Sequence, residues 1–258
     1  MSGLSGLSGR SGLSGAGGGG SAFNFNRTDL RLAILPDLSP KYSDDGTTLI
    51  TAHAASVYRI NDLSSYGQHL RQTSAGSRPA IDIASGKTSL LFDGVADFMN
   101  ATGTWNAKTA FTLIFAMNLQ AYPAGSDSMI VEIGNGTFSN TYVASLNGTN
   151  MMTNAAYDGA VKGIYGVSDA LLSPTTATWQ LWTMKFTGST WSIQRNDDTP
   201  VTASAGNSAT DYTTFTLGAF NGGTRLANVK VGRMLYFDAA LTGADLTSVK
   251  AYAATGYV

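Results

Sequence analysis

Apolar and polar residues alternate along much of this chain, most clearly in Phe111–Leu119. The odd-numbered positions there are Phe, Leu, Phe, Met and Leu, and the even-numbered ones are Thr, Ile, Ala and Asn. Successive side chains of a strand point to opposite faces, so this period predicts a long central strand with one face in the core. Trp179–Phe186 and Thr190–Asn196 flank a Thr-Gly-Ser connection, which predicts a hairpin.

Shorter apolar runs between turn residues predict the remaining strands. Glycine accepts a positive φ without steric cost, so Asp-Gly and Asn-Gly pairs mark turns. Such pairs include residues 45–46, 93–94, 135–136, 147–148 and 158–159. Strands are predicted at 23–25, 30–35, 89–92, 97–101, 129–133, 141–146, 151–157, 163–167, 215–220 and 228–237.

Near the C-terminus the spacing of the apolar residues changes from every second position to that of a helix. Thr242 is a predicted N-cap, and Asp245 lies three residues on, in a position like that of a capping box. The segment Thr242–Thr255 is therefore predicted to be a short helix, with an apolar face formed by Leu246, Val249 and Ala253.

The first 21 residues repeat glycine at every third position from Gly3 to Gly18. One interpretation is a flexible Gly/Ser tail. The other, which we favour, is an extended arm of polyproline-II type, three of which could pack together. Ordering a Gly-rich arm costs entropy that its own side chains cannot offset, so it would need contacts from neighbouring subunits. We predict an anchoring arm at 1–26 and one domain at 27–258, with anchor residues Gly3, Leu4, Gly6, Leu7, Gly9, Arg10, Gly12 and Leu13.

Composition narrows the classes of function. The net charge is −1 and 13% of residues are charged, which gives no basic footprint for nucleic acid. The chain has no Cys, which excludes a disulfide framework and thiolate zinc sites. No apolar run reaches the roughly 18–20 residues that span a bilayer, so we expect no membrane insertion. Because the apolar core of a secretory signal is also missing, we expect a cytoplasmic location or release inside an assembled particle.

The stretch Asn61–Ala101, with the residues just before it, carries a recognisable motif. It resembles a signature of the laminin-G-like, concanavalin A-like jelly-roll modules of bacterial and phage surface proteins. In that signature V-x-x-W-x-D-x-S-G-x-G-x-x-x-x-Q is followed by R-P and then by (V/L)-x-F-D-G-x-x-D-x-(L/M). Ile60 and Ser65 stand where the family usually has Trp and Gly. The matching residues are Val57, Asp62, Ser64, Gly67, Gln72, Arg78, Pro79, Phe92, Asp93, Gly94, Asp97 and Met99.

A second segment, Met234–Asp245, is similar to the closing signature of the same modules, and Tyr257 fits the Tyr near their end. The two signatures together bracket most of the chain. The resemblance implies an all-β, antiparallel β-sandwich jelly roll of concanavalin A-like type with a short C-terminal helix.

Enzymatic chemistry has few candidate residues in this sequence. The usual glycosidase mechanism needs two carboxylates about 5–9 Å apart. Glu132 is the only Glu, so the E-x-D-x-E type of motif found in jelly-roll glucanases is absent. Asp93 and Asp97 are an alternative pair, although Asp93 also suits a turn that caps its own backbone. A polysaccharide lyase would need Tyr, His, Arg and Gln on one face, whereas His53 and His69 lie in predicted loops.

Two kinds of ligand site have candidates. Calcium binds loop carboxylates, amides and carbonyls. Asp93, Asp97 and Asn100 are therefore candidate calcium ligands, with solvated turn residues as the alternative, and no other cofactor is expected. Sugar binding needs an aromatic face for the pyranose and polar groups for its hydroxyls. Trp105 fits this role, or else plugs one end of the sandwich. The candidate sugar-binding residues are Trp105, Asn106, Asn135, Tyr157, Asp158, Asn221 and Arg225.

The resemblance, the missing secretory signal and the Gly-rich arm predict a non-enzymatic virion protein of a tailed phage, such as a capsid decoration or fibre protein. Its arm would bind other virion proteins, and its lectin-like domain would bind host surface glycans or proteins. We expect a homo-oligomer, with a trimer as one form. The alternative is a polysaccharide hydrolase or lyase that acts on host surface glycans.

Overall fold

The computed structural model describes residues 23–44, 47–83, 86–105, 109–123, 127–134, 140–157, 160–164, 173–204, 212–220 and 222–258. For 140–143, 147, 152–157 and 160–164 it describes the backbone alone. The anchor residues predicted between Gly3 and Leu13 therefore lie outside the described residues.

The described residues form short strands throughout, followed by one α-helix, α1, at Gly243–Ala254. Among these residues no helix has the length and hydropathy to cross a membrane. The strands are β1 Leu30–Ile34, β2 Lys41–Tyr42, β3 Arg59–Ile60, β4 Leu70–Arg71, β5 Ala80–Asp82, β6 Ser89–Asp93, β7 Met99–Trp105, β8 Phe111–Leu119, β9 Ser128–Gly134, β10 Asn140–Asn147, β11 Asn150–Tyr157, β12 Ala160–Ile164, β13 Trp179–Phe186, β14 Thr190–Arg195, β15 Val201–Ser204, β16 Tyr212–Leu217 and β17 Asn228–Phe237.

These strands build two antiparallel sheets packed as a sandwich, which confirms the predicted all-β jelly roll with a short C-terminal helix. The eight-stranded sheet has the order β15-β14-β13-β8-β17-β6-β5, and β1 pairs with the second half of β17. The nine-stranded sheet has the order β12-β11-β10-β9-β16-β7-β4-β3-β2. The central neighbours of each sheet are distant in sequence, namely β13-β8-β17-β6 in one sheet and β9-β16-β7-β4 in the other. The outer neighbours are mostly consecutive strands, and this combination is expected of a jelly roll.

An aromatic cluster joins the two sheets in the core. Trp105 and Phe215 of the nine-stranded sheet lie 5.1 Å apart between ring centroids, and Trp105 lies 5.9 Å from Tyr236 of the other sheet. Phe111 then lies 5.8 Å from Tyr236 and 5.5 Å from Trp191. Each such pair adds about 0.5–1.5 kcal/mol to the stabilisation that comes from burial itself.

The central strand β8 is buried on both faces, although its alternation predicted one core face. Ile114 and Ala116 belong to a second apolar cluster on the outer side of the eight-stranded sheet. Helix α1 covers that side with Val249 and Ala253. More than a hundred residues separate α1 from β8 in the sequence. The alternation within β8 alone therefore could not indicate that a helix covers its second face.

Helix α1 confirms the predicted helix almost to the residue, but the predicted capping box is wrong. Thr242 has the extended backbone of an N-cap, with φ −143° and ψ 165°, yet its side chain makes no capping hydrogen bond. Asp245 instead accepts hydrogen bonds from Arg27, one of them 2.9 Å long. The helix start is therefore tied to the residues that precede β1.

Several predicted strands differ from the observed ones, among them 97–101, which is observed as β7 at Met99–Trp105. Residues 23–25 form no strand, because the Phe23 ring stacks on Tyr252 of α1 with centroids 4.3 Å apart. Phe23, inside the span predicted as arm, therefore packs on the domain. Strand β12 begins at Ala160, earlier than the predicted 163, and β16 ends at Leu217 because Gly218 turns the chain with φ +90°.

The predicted turn between β6 and β7 is confirmed in detail. Gly94 has φ +74°, and a Cβ atom there would lie 2.9 Å from Asn228 Cβ. The Asp93 carboxylate accepts N–H bonds from Val95 and Ala96, at 2.8 and 2.9 Å, and from Asp97. Asp97 in turn accepts the Asp93 N–H at 3.2 Å. Burial, followed by the charge of Asp93, raises the pKa of Asp97 from 3.8 to about 6.

The raised pKa predicts how stability depends on pH. The folded chain keeps its proton on Asp97 up to about pH 6, whereas the unfolded chain releases it near 3.8, so this contribution to stability falls as pH rises through that window. We expect Asp97→Asn to increase the free energy of unfolding by about 1–2 kcal/mol near pH 7 and by almost nothing near pH 4. Urea denaturation at both pH values measures this, and a pH-independent difference would contradict it.

Candidate functional site

A polar cleft of about 460 Å³ opens on the outer face of the nine-stranded sheet, where β4 pairs with β7. This volume is within the roughly 300–1,000 Å³ usual for small-ligand sites. Strands supply its floor, and the loops on either side of β4 supply its walls. The lining residues are Tyr66, Gly67, Gln68, His69, Arg71, Gln72, Thr73, Asn100 and Thr102.

The floor is polar because of the alternation along β4 and β7. Met99 and Ala101 of β7 and Leu70 of β4 face the core and are buried. Their neighbours Asn100 and Arg71 consequently face outward, and the two residues pair directly across the β4–β7 ladder.

The first wall is the loop Asn61–His69, which is organised by the buried carboxylate of Asp62. One carboxylate oxygen accepts the N–H groups of Ala33 and Ser64, each at 2.8 Å. The other oxygen accepts the Ser64 hydroxyl at 2.6 Å and the Gln68 N–H at 2.8 Å. Because Ala33 belongs to β1, the same carboxylate ties the loop to the opposite sheet.

His69 is held at the end of this loop as a neutral ring. Its Nδ1 accepts the Asp62 N–H at 3.1 Å. Burial, followed by the positive charge of Arg59, lowers the pKa of His69 below its usual value. With Nδ1 acting as acceptor in a neutral ring, the proton resides on Nε2. His69 can therefore donate a hydrogen bond to a ligand through Nε2–H.

The second wall, at Gln72 and Thr73, is fixed by Arg78. The Arg78 guanidinium donates to the carbonyl oxygens of Gln72, Thr73 and Ser43, each at 3.1 Å. The Gln72 amide donates to the Phe98 carbonyl at 3.1 Å, which joins this wall to the residues before β7. Four residues of the sequence signature, Asp62, Ser64, Gln72 and Arg78, thus shape the cleft by binding the backbone.

Several buried polar atoms at the cleft have no hydrogen-bond partner in the described part of the chain. They are Asn100 Oδ1 and Gln68 Oε1 in the lining, and Nε of the adjacent Arg59. The Gln68 amide lies against Gly103, where a Cβ atom would stand 2.0 Å from Nε2. Buried polar atoms normally have partners, so these atoms indicate a place where water or a ligand binds.

The structure corrects the prediction for Trp105. Its ring is fully buried between Phe215 and Tyr236, so it cannot stack on a sugar, and the alternative, that it fills the sandwich, is confirmed. Arg225 forms an ion pair with Asp127 at 3.1 Å. Its carbonyl accepts the Met129 N–H at the start of β9.

The other predicted sugar-binding residues are not brought together with the cleft. Tyr157 ends β11, where its backbone pairs with Asn140, and Asn106, Asn135, Asp158 and Asn221 lie outside the described residues. Trp105 and Tyr157 end their strands at one end of the sandwich, whereas Arg225 lies beside the start of β9, at the other end. The described candidates therefore do not form one site.

The calcium candidates divide between two places. Asp93 and Asp97 bind each other's backbone in the β6–β7 turn, whereas Asn100 lines the cleft. The described residues hold no group of three or more His, Asp or Glu that could bind a metal ion. Calcium binding stays a prediction.

Sequence reasoning missed Gln68, His69 and Arg71 as site residues. The available signal was the run Gln68-His69-Leu70-Arg71-Gln72, in which a lone buried leucine separates polar residues. This run can be recognised as part of a site only when Arg71 is known to pair with Asn100, which lies nearly thirty residues further along the chain.

No protein-family model matches the chain, and no curated protein matches it. Solved structures do match, at identities that establish the fold alone. The binding domain of botulinum neurotoxin serotype D is 10% identical with a TM-score of 0.61, over 87% of this chain and 52% of that one. The binding domain of botulinum neurotoxin DC in complex with SialylT is 10% identical with a TM-score of 0.60, over 88% and 52%.

Trypanosoma rangeli sialidase in complex with the inhibitor DANA is 16% identical with a TM-score of 0.52, over 80% of this chain and 34% of the sialidase. The present chain thus spans about half the length of the neurotoxin domains and about a third of the sialidase. These likenesses agree with the antiparallel β-sandwich that the strands form.

Asp62→Asn tests how the first wall is held. Either orientation of the new amide places an NH2 group against a backbone N–H that now donates to the carboxylate. We expect the free energy of unfolding to fall by about 1–3 kcal/mol, with faster amide hydrogen exchange at residues 63–69. Asp44→Asn, in an exposed turn, is the control and should change little. Unchanged exchange in the loop would contradict the role given to Asp62.

Proposed function

We propose that this chain is a non-enzymatic, lectin-type binding module and that the cleft on β4 and β7 binds a glycan. The observation that carries this proposal is the set of unpartnered buried polar atoms at the cleft, Asn100 Oδ1, Gln68 Oε1 and Arg59 Nε. Sugars present many hydroxyl groups that donate and accept hydrogen bonds. Amide side chains held by surrounding loops are the groups with which lectin-type sites select them.

The solved neighbours support carbohydrate as the class of ligand. The neurotoxin DC domain was solved in complex with SialylT, and the sialidase with the inhibitor DANA. The same neurotoxin DC domain was also solved in complex with rat synaptotagmin II, so a protein ligand has support as well. We favour a glycan because the described cleft lining is polar and contains one aromatic residue, Tyr66.

The hydrolase alternative has less support from the cleft. The described lining contains no carboxylate, whereas the usual glycosidase mechanism needs two. Glu132 is on the same face of the sheet but is 1% exposed, and Thr216 stands between it and Asn100 in the cross-strand row. A carboxylate in that position is not available to a sugar in the cleft.

One observation favours the lyase alternative, because the cleft gathers Tyr66, His69, Arg71 and Gln72. Abstraction of a sugar proton needs a free base near the ligand. The His69 lone pair is committed to the Asp62 N–H, and the Tyr66 hydroxyl donates to the Thr28 carbonyl at 2.8 Å. These hydrogen bonds suit binding better than proton transfer, so we place the lyase second.

A pair of matched variants tests glycan binding at the cleft. Thr102 and Thr104 are both exposed on the outer face of β7, but Thr102 alone lines the cleft. Aromatic residues are well tolerated in strands. On a panel of bacterial lipopolysaccharides and capsular polysaccharides, we expect Thr102→Trp to abolish binding and Thr104→Trp to preserve it.

Equal behaviour of the two variants would contradict the cleft as the binding site. Sustained shortening of a polysaccharide by the unaltered chain, with loss of that activity in Thr102→Trp, would overturn the non-enzymatic assignment. Unsaturated products would then identify a lyase, and new reducing ends alone a hydrolase.

The finer part of the proposal is that the module is a virion protein of a tailed phage, held as a homo-oligomer by residues 1–26. The sequence signature and the period-three glycine repeat support this. Phe23 and Phe25 pack on Tyr252 of α1, on the outer side of the eight-stranded sheet. The cleft lies on the outer side of the other sheet, so an arm bound to a particle would leave it open to host glycans.

Removal of residues 1–22 tests the anchoring role. We expect the shortened chain to keep its melting temperature, because the described packing begins at Phe23. It should no longer co-sediment with phage particles that retain the full chain, as measured with an antibody against the sandwich. Normal co-sedimentation of the shortened chain would contradict an anchoring arm.

A further inference from the structure

We propose that the cleft binds a carboxylate-bearing sugar, with Arg71 on the carboxylate and the amide oxygens of Asn100 and Gln68 accepting ring hydroxyls. This inference rests on the proposed glycan-binding function and names the class of its ligand. It depends on the charges beside the cleft as well as on its unpartnered atoms.

Two arginines lie directly opposite each other at the edge of the cleft. Arg59 of β3 pairs with Arg71 of β4 in the antiparallel ladder, and their neighbours Ile60 and Leu70 are buried in the core. Both arginines therefore face outward, where directly opposed side chains have Cβ atoms about 4.5–5.5 Å apart. Like charges at this spacing are destabilising, so the pair suggests a bound anion.

Among the described arginines these two also differ from the rest in having neither an acidic partner nor a hydrogen-bonded acceptor. Within the described residues neither Arg59 nor Arg71 forms an ion pair or a side-chain hydrogen bond, and Arg59 instead stacks over the Tyr42 ring at 4.4 Å. Arg78 donates to three carbonyl oxygens. Each remaining described arginine forms an ion pair with an aspartate, namely Arg27, Arg31, Arg195, Arg225 and Arg233.

The unpartnered acceptors indicate which kind of anion fits. Arg71 and Asn100 face each other across the β4–β7 pair, so a group on the arginine lies next to the amide. A carboxylate has two acceptor oxygens, and the guanidinium fork can bind both. The rest of a sugar ring then offers hydroxyl donors to Asn100 Oδ1 and Gln68 Oε1.

Other ligands satisfy these groups less completely. A neutral sugar leaves the charges of Arg59 and Arg71 opposed and uncompensated. A sulfate ester has three acceptor oxygens, so after the guanidinium has bound two the third still needs a donor, which the amide oxygens of Asn100 and Gln68 cannot supply. Uronic and sialic acids combine one carboxylate with several hydroxyls and therefore match both sets of groups.

The experiment uses the full chain and matched pairs of oligosaccharides in isothermal titration calorimetry. The probes are oligogalacturonate and sialyllactose, each compared with its carboxyl-reduced form, together with a sulfated galactan oligosaccharide. We expect at least one acidic probe to bind about tenfold or more tightly than its reduced form. The sulfated oligosaccharide should bind more weakly than that probe.

Two charge-removing variants identify the residue that is responsible. Arg71→Ala should weaken binding of the acidic probe by about tenfold or more while leaving binding of the reduced form unchanged. The control Lys185→Ala removes a positive charge from β13, in the other sheet, and should leave both affinities unchanged. Arg71 is exposed and opposes Arg59, so its removal should not lower the melting temperature.

The outcomes separate this inference from the proposed function. If the acidic and reduced probes bound with equal affinity, and Thr102→Trp still lost binding, the inference that the ligand carries a carboxylate would be wrong. The proposal that the cleft binds a glycan would stand. Tighter binding of the sulfated oligosaccharide than of both acidic probes would also contradict the inference of a carboxylate-bearing ligand. If none of these probes and no glycan of the polysaccharide panel bound, both proposals would fall together.

Discussion

The structure around the cleft depends on one buried carboxylate, that of Asp62. It accepts backbone hydrogen bonds from β1 in one sheet and from the loop between β3 and β4 in the other. A buried carboxylate is tolerated when several donors compensate for its lost hydration. The position of the first cleft wall relative to the sandwich therefore follows from a single side chain. The backbone of the same residue orients His69, whose Nδ1 accepts the Asp62 N–H, while burial and the charge of Arg59 lower the pKa of that ring.

Local patterns of the sequence were sufficient for many of the strands, whereas the sandwich architecture was an expectation from the resemblance. The alternation in Phe111–Leu119 and Asn228–Phe237 gave strands whose observed bounds agree to the residue. Asp93-Gly94 gave its turn because a positive φ and a self-capping carboxylate are properties of two adjacent residues. Predictions that depended on distant partners did worse. Asp245 pairs with Arg27 rather than capping its helix, since a salt bridge across the fold competes with the local hydrogen bond.

The candidate site could not be predicted in the same way. Its row of residues, Arg59, Arg71, Asn100 and Thr216, comes from four strands, and only strand order and register bring them side by side. Trp105 illustrates the opposite error. An isolated Trp after a Thr-Gly-Thr sequence suggested a loop, but the residue continues β7 with its ring inward. The sugar-binding role assigned to Trp105 from its residue type was wrong because the sequence did not show that its side chain faces the core.

The sequence signature has a physical meaning that separates fold from ligand. Asp62, Ser64, Gln72 and Arg78 bind backbone groups and fix the two cleft walls, so their role in this chain is structural. The groups that are free to bind a ligand, Arg71 and Asn100, are outside the signature. Their neighbours in sequence are core residues, so these outward positions can change without disturbing the packing. A resemblance carried by the wall residues therefore predicts that a cleft exists, and the outward residues of β4 and β7 determine what enters it.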